Sequence, residues 1–246
     1  MKNKRSILKA IATIAIVASM SIVSCESEPV DMSELVQKGD TWFLVKNDKP
    51  FTGKFMARNP FGGSLLIKGS MKGGKLHGMT ERYEANGKLS EESNYKDGEL
   101  HGVSKKYYET NGKLSEESNY KDGKKDGVSK VYHENGNLGL ERIFKDDKKE
   151  GEQKSYYESG KLKQEQNYKN DKLNGIVKIY RENGKLEEEQ NYENGNLNGV
   201  IKAYHENGKL SAEINFKDGN RHGIAKWYDE DGKLKQEQNY KDGVPQ

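Results

Sequence analysis

The octapeptide Val131–Leu138, VYHENGNL, decides the fold, because the chain repeats its pattern at a nearly fixed interval. An Asn-Gly or a close equivalent ends in a glycine at seven places: Gly87, Gly112, Gly136, Gly160, Gly184, Gly208 and Gly232. The interval between these glycines is constant from Gly112 onward and is one position longer between Gly87 and Gly112. A leucine follows each glycine by two positions, an aromatic residue by eight and, in all but the last unit, a second glycine by fifteen. Self-similarity at this period predicts an array of stacked repeats.

Each unit contains two candidate strands and two turns. Glycine after asparagine supplies the positive φ that a tight hairpin needs. A two-residue loop, Asn135–Gly136, would pair His133 with Leu138 and place Tyr132 on the opposite face. A three-residue loop ending at Gly136 pairs Tyr132 with Leu138, so both apolar residues share one face, as a half-buried sheet requires. The sequence therefore favours the three-residue loop.

The predicted fold class is all-β. Second glycines from Gly53 to Gly223 define about eight repeated β-hairpins, which we expect to form an elongated, twisted antiparallel sheet. A helical signal peptide precedes this sheet. The predicted domains are a lipoprotein signal peptide (1–24), an acidic tether (25–40), a degenerate N-terminal capping repeat (41–62) and the repeat array (63–246).

The segment 1–24 is typical of an export signal. Four cations form a basic head, and a largely apolar run from Ala10 to Val23 follows, which is too short to span a bilayer well. The run ends in Ile22-Val23-Ser24-Cys25, and Cys25 is the only cysteine in the chain. This ending resembles the bacterial lipoprotein box, which implies lipidation of Cys25 and a membrane anchor. The alternative is a plain secretion signal with an incidental cysteine.

Charge argues against nucleic-acid binding. The whole chain has a net charge of +3, but the signal holds four of its 42 Lys and Arg residues and no acid. The remainder therefore carries −1, with cations and anions interspersed. A nucleic-acid partner requires a basic patch or stripe. An anchored, nearly neutral protein belongs in the bacterial cell envelope, at the outer membrane or cell surface if the cell has two membranes.

Lysines and tyrosines alternate along the strand that follows each second glycine. The preferred register places these lysines opposite residues such as Glu116 and Leu140. One interpretation is that the lysine stems cover apolar surface and the tyrosine rings form the core. The other is a binding groove, in which the rings stack on sugars or on a partner's side chains. The candidate groove residues are Tyr132, Tyr156, Tyr180, Lys130, Lys154 and Lys178.

The opposite face changes along the array. Early units carry polar residues there, whereas late units contain IVKIY, VIKAY and IAKWY, apolar at both outward places. We call the resulting set the late stripe: Val177, Ile179, Ile201, Ala203, Ala225 and Trp227. Contiguous exposed apolar surface usually marks an interaction site, so the late stripe is a candidate partner-binding surface. The alternative is that β-propensity and twist fold these residues against neighbouring turns.

Catalytic and metal-binding patterns are absent from the sequence. His77, His101 and His222 occupy the same repeat position, but equivalent positions in adjacent hairpins lie roughly 9.6 Å apart. That separation is too large for two imidazoles to bind one metal at about 2.1 Å without strain. No phosphate-binding loop, HExxH motif or nucleophile elbow is present. We therefore expect no enzyme activity, no metal and no cofactor.

The recurring pattern YxENGKLxxExxYKDGKxxG resembles the MORN repeat in its bacterial variant form. This resemblance covers most of the chain and implies antiparallel hairpins laid side by side in a long twisted sheet. Similar bacterial chains are named antitoxins of the YwqK type, and Pro50-Phe51-Thr52-Gly53 looks like their opening. Others take their name from a phosphatidylinositol phosphate kinase, but nothing here corresponds to a kinase domain.

Three functions are compatible with the sequence. The first is a non-enzymatic, membrane-anchored lipoprotein whose β-ribbon binds a protein partner. The second is an antitoxin or inhibitor of one dedicated toxin. The third is an envelope protein that binds a glycan through its tyrosines.

Overall fold

The computed structural model describes residues 28–246. Most of this part of the chain lies in β-strands, which form one large sheet of 21 strands and a separate sheet of three strands near its start. The predicted signal peptide (1–24) and the predicted lipidation site Cys25 lie outside the described residues. No helix within residues 28–246 has the length and apolar character needed to span a membrane.

The strands are numbered in chain order. One 3₁₀-helix, Met32–Glu34, separates the first two strands. The strand bounds are β1 (Val30–Asp31), β2 (Leu35–Lys38), β3 (Thr41–Leu44), β4 (Lys49–Pro50), β5 (Gly53–Arg58), β6 (Leu65–Lys72), β7 (Lys75–Leu76), β8 (Gly78–Tyr83), β9 (Leu89–Lys96), β10 (Glu99–Tyr107), β11 (Leu114–Lys121), β12 (Lys124–Tyr132), β13 (Leu138–Lys145), β14 (Lys148–Tyr156), β15 (Leu162–Lys169), β16 (Lys172–Leu173), β17 (Gly175–Tyr180), β18 (Leu186–Glu193), β19 (Asn196–Leu197), β20 (Gly199–Tyr204), β21 (Leu210–Lys217), β22 (Asn220–Tyr228), β23 (Leu234–Lys241) and β24 (Val244–Pro245).

The sheet is built from eight successive hairpins, which confirms the predicted fold class. They are β5–β6, β8–β9, β10–β11, β12–β13, β14–β15, β17–β18, β20–β21 and β22–β23. Each hairpin also pairs antiparallel with the next one along the chain. The result is a ribbon in which sequence order is spatial order.

The two turns of each repeat differ. At the Asn-Gly loop, Gly136 N–H donates to His133 O at 2.8 Å and His133 N–H donates to Asn137 O at 2.9 Å. Gly136 has a φ of 96°, so the three-residue loop predicted from sequence is confirmed. The other turn has only two residues. Asp122 and Gly123 both have positive φ (49° and 79°), which defines a type I′ turn.

A β-bulge follows each loop and corrects one predicted register. Tyr132 pairs with Leu138 as expected, but the next pair is Val131 with Leu140, leaving Gly139 unpaired. The extra residue shifts all later pairs by one. Lys130 therefore faces Glu141 rather than Leu140, and Lys105 faces Glu117 rather than Glu116. The prediction was wrong there because nothing in the sequence marks the unpaired residue.

Burial is concentrated on one face of the ribbon, which we call the serine face. Its central row includes Thr80, Ser93, Ser104, Ser118 and Ser129, each at most 7% exposed. Within residues 28–246, contacts between strands are almost confined to neighbours in the sheet, so no second layer from this part of the chain covers the row. Mid-strand side chains of a single layer become this buried when the sheet curves toward them. The serine face is therefore concave.

A hydrophobic cluster lies at the N-terminal end. Leu35, Phe51, Phe55 and Met71 are buried together, and Trp42, Leu44 and Ile67 are among the half-buried residues that pack against them. The expected acidic tether is wrong for residues 30–38, because β1 pairs in parallel with β5 and Leu35 of β2 enters this cluster. Phe61, by contrast, is 98% exposed and takes no part in it.

Candidate interaction face

The face opposite the serine face, here called the lysine face, carries lysines and glutamates in alternation. One residue per strand contributes to this row: Lys105, Glu117, Lys130, Glu141, Lys154, Glu165, Lys178, Glu189, Lys202, Glu213, Lys226 and Glu237. Several neighbours approach as ion pairs, for example Lys130 and Glu141 at 3.4 Å and Lys226 and Glu237 at 3.7 Å. Their heads stay partly exposed, so each pair adds at most about 1 kcal/mol. The charges cancel along the row.

The tyrosine that ends each first strand is anchored by its hydroxyl in several repeats. Tyr180 Oη donates to Glu165 Oε2 at 2.9 Å, Tyr204 Oη donates to Glu189, and Tyr107 Oη donates to Glu92. Burial, reinforced by the carboxylate acceptor, raises the pKa of both Tyr107 and Tyr180 to about 12. The candidate groove residues Tyr132, Tyr156 and Tyr180 are all half-buried and lie on the same face as Lys130, Lys154 and Lys178.

A third row on the lysine face is apolar and exposed. It is formed by the residue that follows six of the eight second glycines: Met79, Val103, Val128, Ile176, Val200 and Ile224. Lys54 and Glu152 stand at the other two places, and Val103 and Val200 are half-buried. Met79 is 50% exposed, Ile176 49% and Ile224 44%. Val128 is 37% exposed, and Ile143 on the neighbouring strand is 40% exposed. The large exposed aliphatic residues of the array therefore lie mainly on the lysine face.

Small cavities recur at equivalent positions of this face. One of about 190 Å³ is lined by Met79, Glu92, Asn94, Val103, Lys105 and Glu117. A second of about 320 Å³ is lined by Ile176, Glu189, Asn191, Val200, Lys202 and Glu213, which occupy the same six repeat positions. A third, of about 350 Å³, involves Lys54, Lys68, Met79 and Glu81 at the N-terminal end. Like depressions thus lie at three of the junctions between adjacent hairpins.

The late stripe is not an exposed surface. Val177 is 2% exposed and Ala225 is 1% exposed, because both stand in the central row of the concave serine face. Ile179, Ile201, Ala203 and Trp227 lie on the same face and are half-buried. The premise that these six residues form an open apolar stripe was therefore wrong. Curvature of the sheet, which sequence alternation does not encode, buries this face.

The repeated histidines face aspartates. His101 Nδ1 lies 3.2 Å from Asp122 Oδ1, and His222 Nδ1 lies 3.2 Å from Asp242 Oδ1. Each histidine thus contacts the Asp-Gly turn of the following hairpin. Among the described residues, no group of three or more His, Cys, Asp and Glu side chains is arranged to hold a metal ion.

One structural residue was missed at the sequence level. An asparagine stands directly before the aromatic residue of many second strands, and its side chain crosses to the next hairpin. Asn119 Nδ2 donates to Val128 O at 2.9 Å, and Asn191 Nδ2 donates to Val200 O at 2.9 Å. These bonds satisfy carbonyls beside the second glycine, where the ladder is interrupted. The recurring Asn-Tyr or Asn-Phe pair was the available signal.

A second set of side chains ties each Asn-Gly loop to the next. Asn111 Nδ2 donates to Glu134 O at 2.9 Å, and Asn135 Nδ2 donates to Glu158 O at 2.7 Å. Tyr157 Oη likewise donates to Tyr180 O at 2.7 Å. These bonds fix the spacing of hairpins at one edge of the ribbon, and therefore the spacing of the cavities.

Comparison with known sequences identifies the repeat. Seven consecutive segments match the family described as MORN repeat variant: residues 76–97, 100–122, 125–146, 149–170, 173–194, 197–218 and 221–242. Together they cover more than half of the chain. No curated protein matches the sequence.

Proposed function

The chain belongs to the MORN repeat variant family, and from this premise we propose that it is a non-enzymatic scaffold whose repeat array binds a protein partner. Repeat ribbons of this kind offer a long, regular surface rather than one enclosed pocket. The recurring cavities described above are small, about 190 to 350 Å³. Extended contact with a macromolecule suits this surface better than chemistry on a small substrate.

The exposed apolar row of the lysine face carries this proposal. Met79, Val128, Ile176 and Ile224 repeat along one uncovered face and remain 37% to 50% exposed. Aliphatic surface that recurs in a line and is rimmed by charged pairs is typical of a protein-binding site. A partner that covers these residues is stabilised by burial of apolar surface. The alternating Lys and Glu side chains beside the row would set the position of the partner along the ribbon.

Affinity capture with the full-length chain tests this function. The variant Val128→Glu/Ile176→Glu/Ile224→Glu places three carboxylates in the apolar row. Phe61→Glu is the matched control, because Phe61 is 98% exposed and lies outside the array rows. We expect wild type and the control to retain one stoichiometric protein from an envelope extract, and the triple variant to lose it.

Equal capture by all three baits would show that the apolar row is not the binding surface. Circular dichroism of the triple variant must match that of wild type, so that loss of the partner is not loss of the fold. Competition by soluble oligosaccharides, with no protein retained, would instead favour the glycan-binding function.

We further propose that a lipid on Cys25 anchors the array to a membrane of the cell envelope. The support is the sequence Ile22-Val23-Ser24-Cys25 and the absence of any other cysteine. Metabolic labelling with a fatty-acid analogue should mark wild type but not Cys25→Ser, and the variant should leave the membrane fraction. Labelling that persists in Cys25→Ser would refute the anchor without affecting the scaffold function.

A further inference from the structure

Two of the Asn-Gly loops form a matched pair in sequence and in backbone. Residues 182–186 and 206–210 have the same sequence, Glu-Asn-Gly-Lys-Leu, and both asparagines are exposed. In each loop the glycine N–H donates to the carbonyl three residues before it, at 2.8 and 2.9 Å, and the glycine φ is 85° in one loop and 90° in the other. Asn183 Oδ1 and Asn207 Oδ1 each accept the lysine backbone N–H at 2.9 Å. Local sequence and local geometry therefore do not distinguish the two asparagines.

The side-chain amide is where the two loops differ. Asn207 Nδ2 donates to Glu230 O, the first carbonyl of the following loop, at 2.7 Å. The equivalent carbonyl for the preceding loop is Glu206 O, and Lys185 Nζ donates to it at 2.8 Å. Asn183 Nδ2 makes no hydrogen bond within residues 28–246. A lysine thus occupies the carbonyl that the asparagine holds in the other loop.

The same contrast occurs earlier in the array. Asn135 Nδ2 donates to Glu158 O, the first carbonyl of the following loop, at 2.7 Å. At Asn86, by contrast, Lys88 Nζ donates to Glu109 O at 2.9 Å. The Asn86 amide has no hydrogen-bond acceptor in the part of the chain that the structure describes. Four three-residue Asn-Gly loops therefore divide into two with a held amide and two without.

An asparagine that precedes glycine reacts with its own backbone. The glycine nitrogen attacks the asparagine Cγ, and a C–N bond forms while the bond from Cγ to Nδ2 breaks. The glycine N–H proton leaves with the amide nitrogen as ammonia, and water then opens the succinimide ring to aspartate or isoaspartate. Glycine favours this attack because it has no side chain to obstruct the approach. The side chain must first rotate toward the glycine nitrogen, so a hydrogen bond that holds Nδ2 opposes the reaction.

We propose that Asn86 and Asn183 are sites of spontaneous deamidation, and that Asn135 and Asn207 are protected by their bonds to the following loop. This inference is independent of the scaffold function. The bonds that are common to all four loops slow the reaction equally, so the difference comes from the amide. Breaking one ordinary hydrogen bond corresponds to about a two- to tenfold difference in rate.

The two products have different structural consequences. Aspartate fits the loop, because Asp231 stands at this position in the last repeat, where Gly232 N–H still donates to Asp229 O at 2.9 Å. Isoaspartate runs the main chain through the former side chain and lengthens the loop by one backbone atom. At residue 183 this extra atom lies beside the pair of Tyr180 with Leu186. Deamidation therefore adds a carboxylate to the loop edge, and its isoaspartate product disturbs the closed end of one hairpin.

Peptide mapping of the full-length chain tests the proposal. The folded protein is incubated at mildly alkaline pH, and mass spectrometry follows the conversion of each asparagine to a carboxylate. We expect Asn183 to react about two- to tenfold faster than Asn207 in the folded chain. In urea the two rates should become equal, because the two pentapeptides are identical. Equal rates in the folded chain would overturn the proposal, and so would a difference that persists in urea.

A lysine variant tests the cause of the difference. Lys185→Ala releases Glu206 O for the amide of Asn183, so deamidation of Asn183 should slow toward the rate of Asn207. Lys209→Ala is the matched control, because Lys209 Nζ donates to Asp231 O at 3.0 Å and does not compete with Asn207. The control should leave the rate at Asn207 unchanged. An unchanged rate at Asn183 in Lys185→Ala would overturn the assignment of its reactivity to the occupied carbonyl.

Discussion

At the scale of single residues, hydrogen-bonded polar side chains replace much of the usual apolar core. Only 32% of the residues are hydrophobic, yet the serine face is well buried. Ser118 Oγ lies 2.8 Å from Ser129 Oγ and 3.0 Å from Glu116 Oε1. Burial alone would raise the pKa of Glu116, but hydrogen bonds from Lys125 and Ser118 lower it. Small, paired side chains satisfy much of this buried row, although Thr80 Oγ1, Arg142 Nε and Gln153 Oε1 are buried without a hydrogen-bond partner.

The tyrosine row predicts a loss of stability in alkali. Tyr107 and Tyr180 have pKa values of about 12 in the folded chain, against about 10 when unfolded. The folded state thus holds more protons between pH 10 and 12, so its free energy of unfolding falls as pH rises through this range. Below pH 10 both states are protonated and the effect vanishes. Urea denaturation at pH 9, 10 and 11 measures the fall.

The matched variants are Tyr107→Phe/Tyr180→Phe and Glu92→Gln/Glu165→Gln. The tyrosine-to-phenylalanine variant should reduce the fall in the free energy of unfolding above pH 10, because it removes the two hydroxyls whose pKa is raised in the folded state. The second should lower the midpoint of tyrosine ionisation, followed by ultraviolet absorbance, because neutral amides replace the carboxylate acceptors. If the free energy of unfolding of the phenylalanine variant falls with pH as steeply as that of wild type, these two tyrosines are not the source of the pH dependence.

At the scale of the hairpin, both glycines of each repeat have separate conformational roles. Gly136 closes the three-residue loop, whereas Gly127, at a φ of 107°, begins the pairing of β12 with β13. The carbonyl of the residue that follows it is held by Asn119 Nδ2. The hairpin therefore has a defined bend at each end, and these bends repeat at each unit.

Replacing Gly127 by alanine should destabilise the protein by at least about 1 kcal/mol, since a side chain is strained at this positive φ. An added Cβ would also lie only 3.2 Å from Asn119 Cβ. Gly62→Ala is the control, because its φ is ordinary and nothing lies within 4 Å of an added Cβ. Urea midpoints of the two variants measure the difference. Equal midpoints would mean that the bend at Gly127 is not required.

The sequence was sufficient to predict the hairpins, but it did not predict which face of the sheet is buried. The spacing from Gly136 to Leu138 predicted the loop and the pair between Tyr132 and Leu138, because turn chemistry is local. The unpaired Gly139 was not predictable, since serine, lysine or glutamate stands at the same place in other repeats. Likewise, Val177 was expected to be exposed but is buried. Its burial depends on the curvature of the whole sheet, which alternation within one strand does not encode.

At the scale of the whole molecule, stability depends on nearest neighbours. Contacts between elements link successive strands, and the apolar cluster around Phe55 closes the N-terminal end. Such an array behaves as a one-dimensional chain of similar units, in which each repeat is stabilised by the two beside it. Internal units are therefore interchangeable in a way that the elements of a globular domain are not.

Deletion of residues 173–196 removes one whole period and joins Lys172 to Leu197, which takes the place of Leu173. We expect the shortened chain to fold with unchanged circular dichroism per residue and to be shorter by about 9.4–9.8 Å in small-angle X-ray scattering. Deletion of residues 173–184, half a period, is the control and should disrupt the sheet. An unfolded or aggregated product of the whole-period deletion would contradict nearest-neighbour stability.

The interchangeability of the repeats also has a genetic consequence. The segments 162–169 and 234–241 are identical, as are 89–96 and 114–121. Unequal recombination between such near-copies would insert or remove whole units in frame, and nearest-neighbour stability predicts that the product still folds. The length of this ribbon can thus change over generations in steps of one hairpin, while the structure of each remaining repeat stays the same.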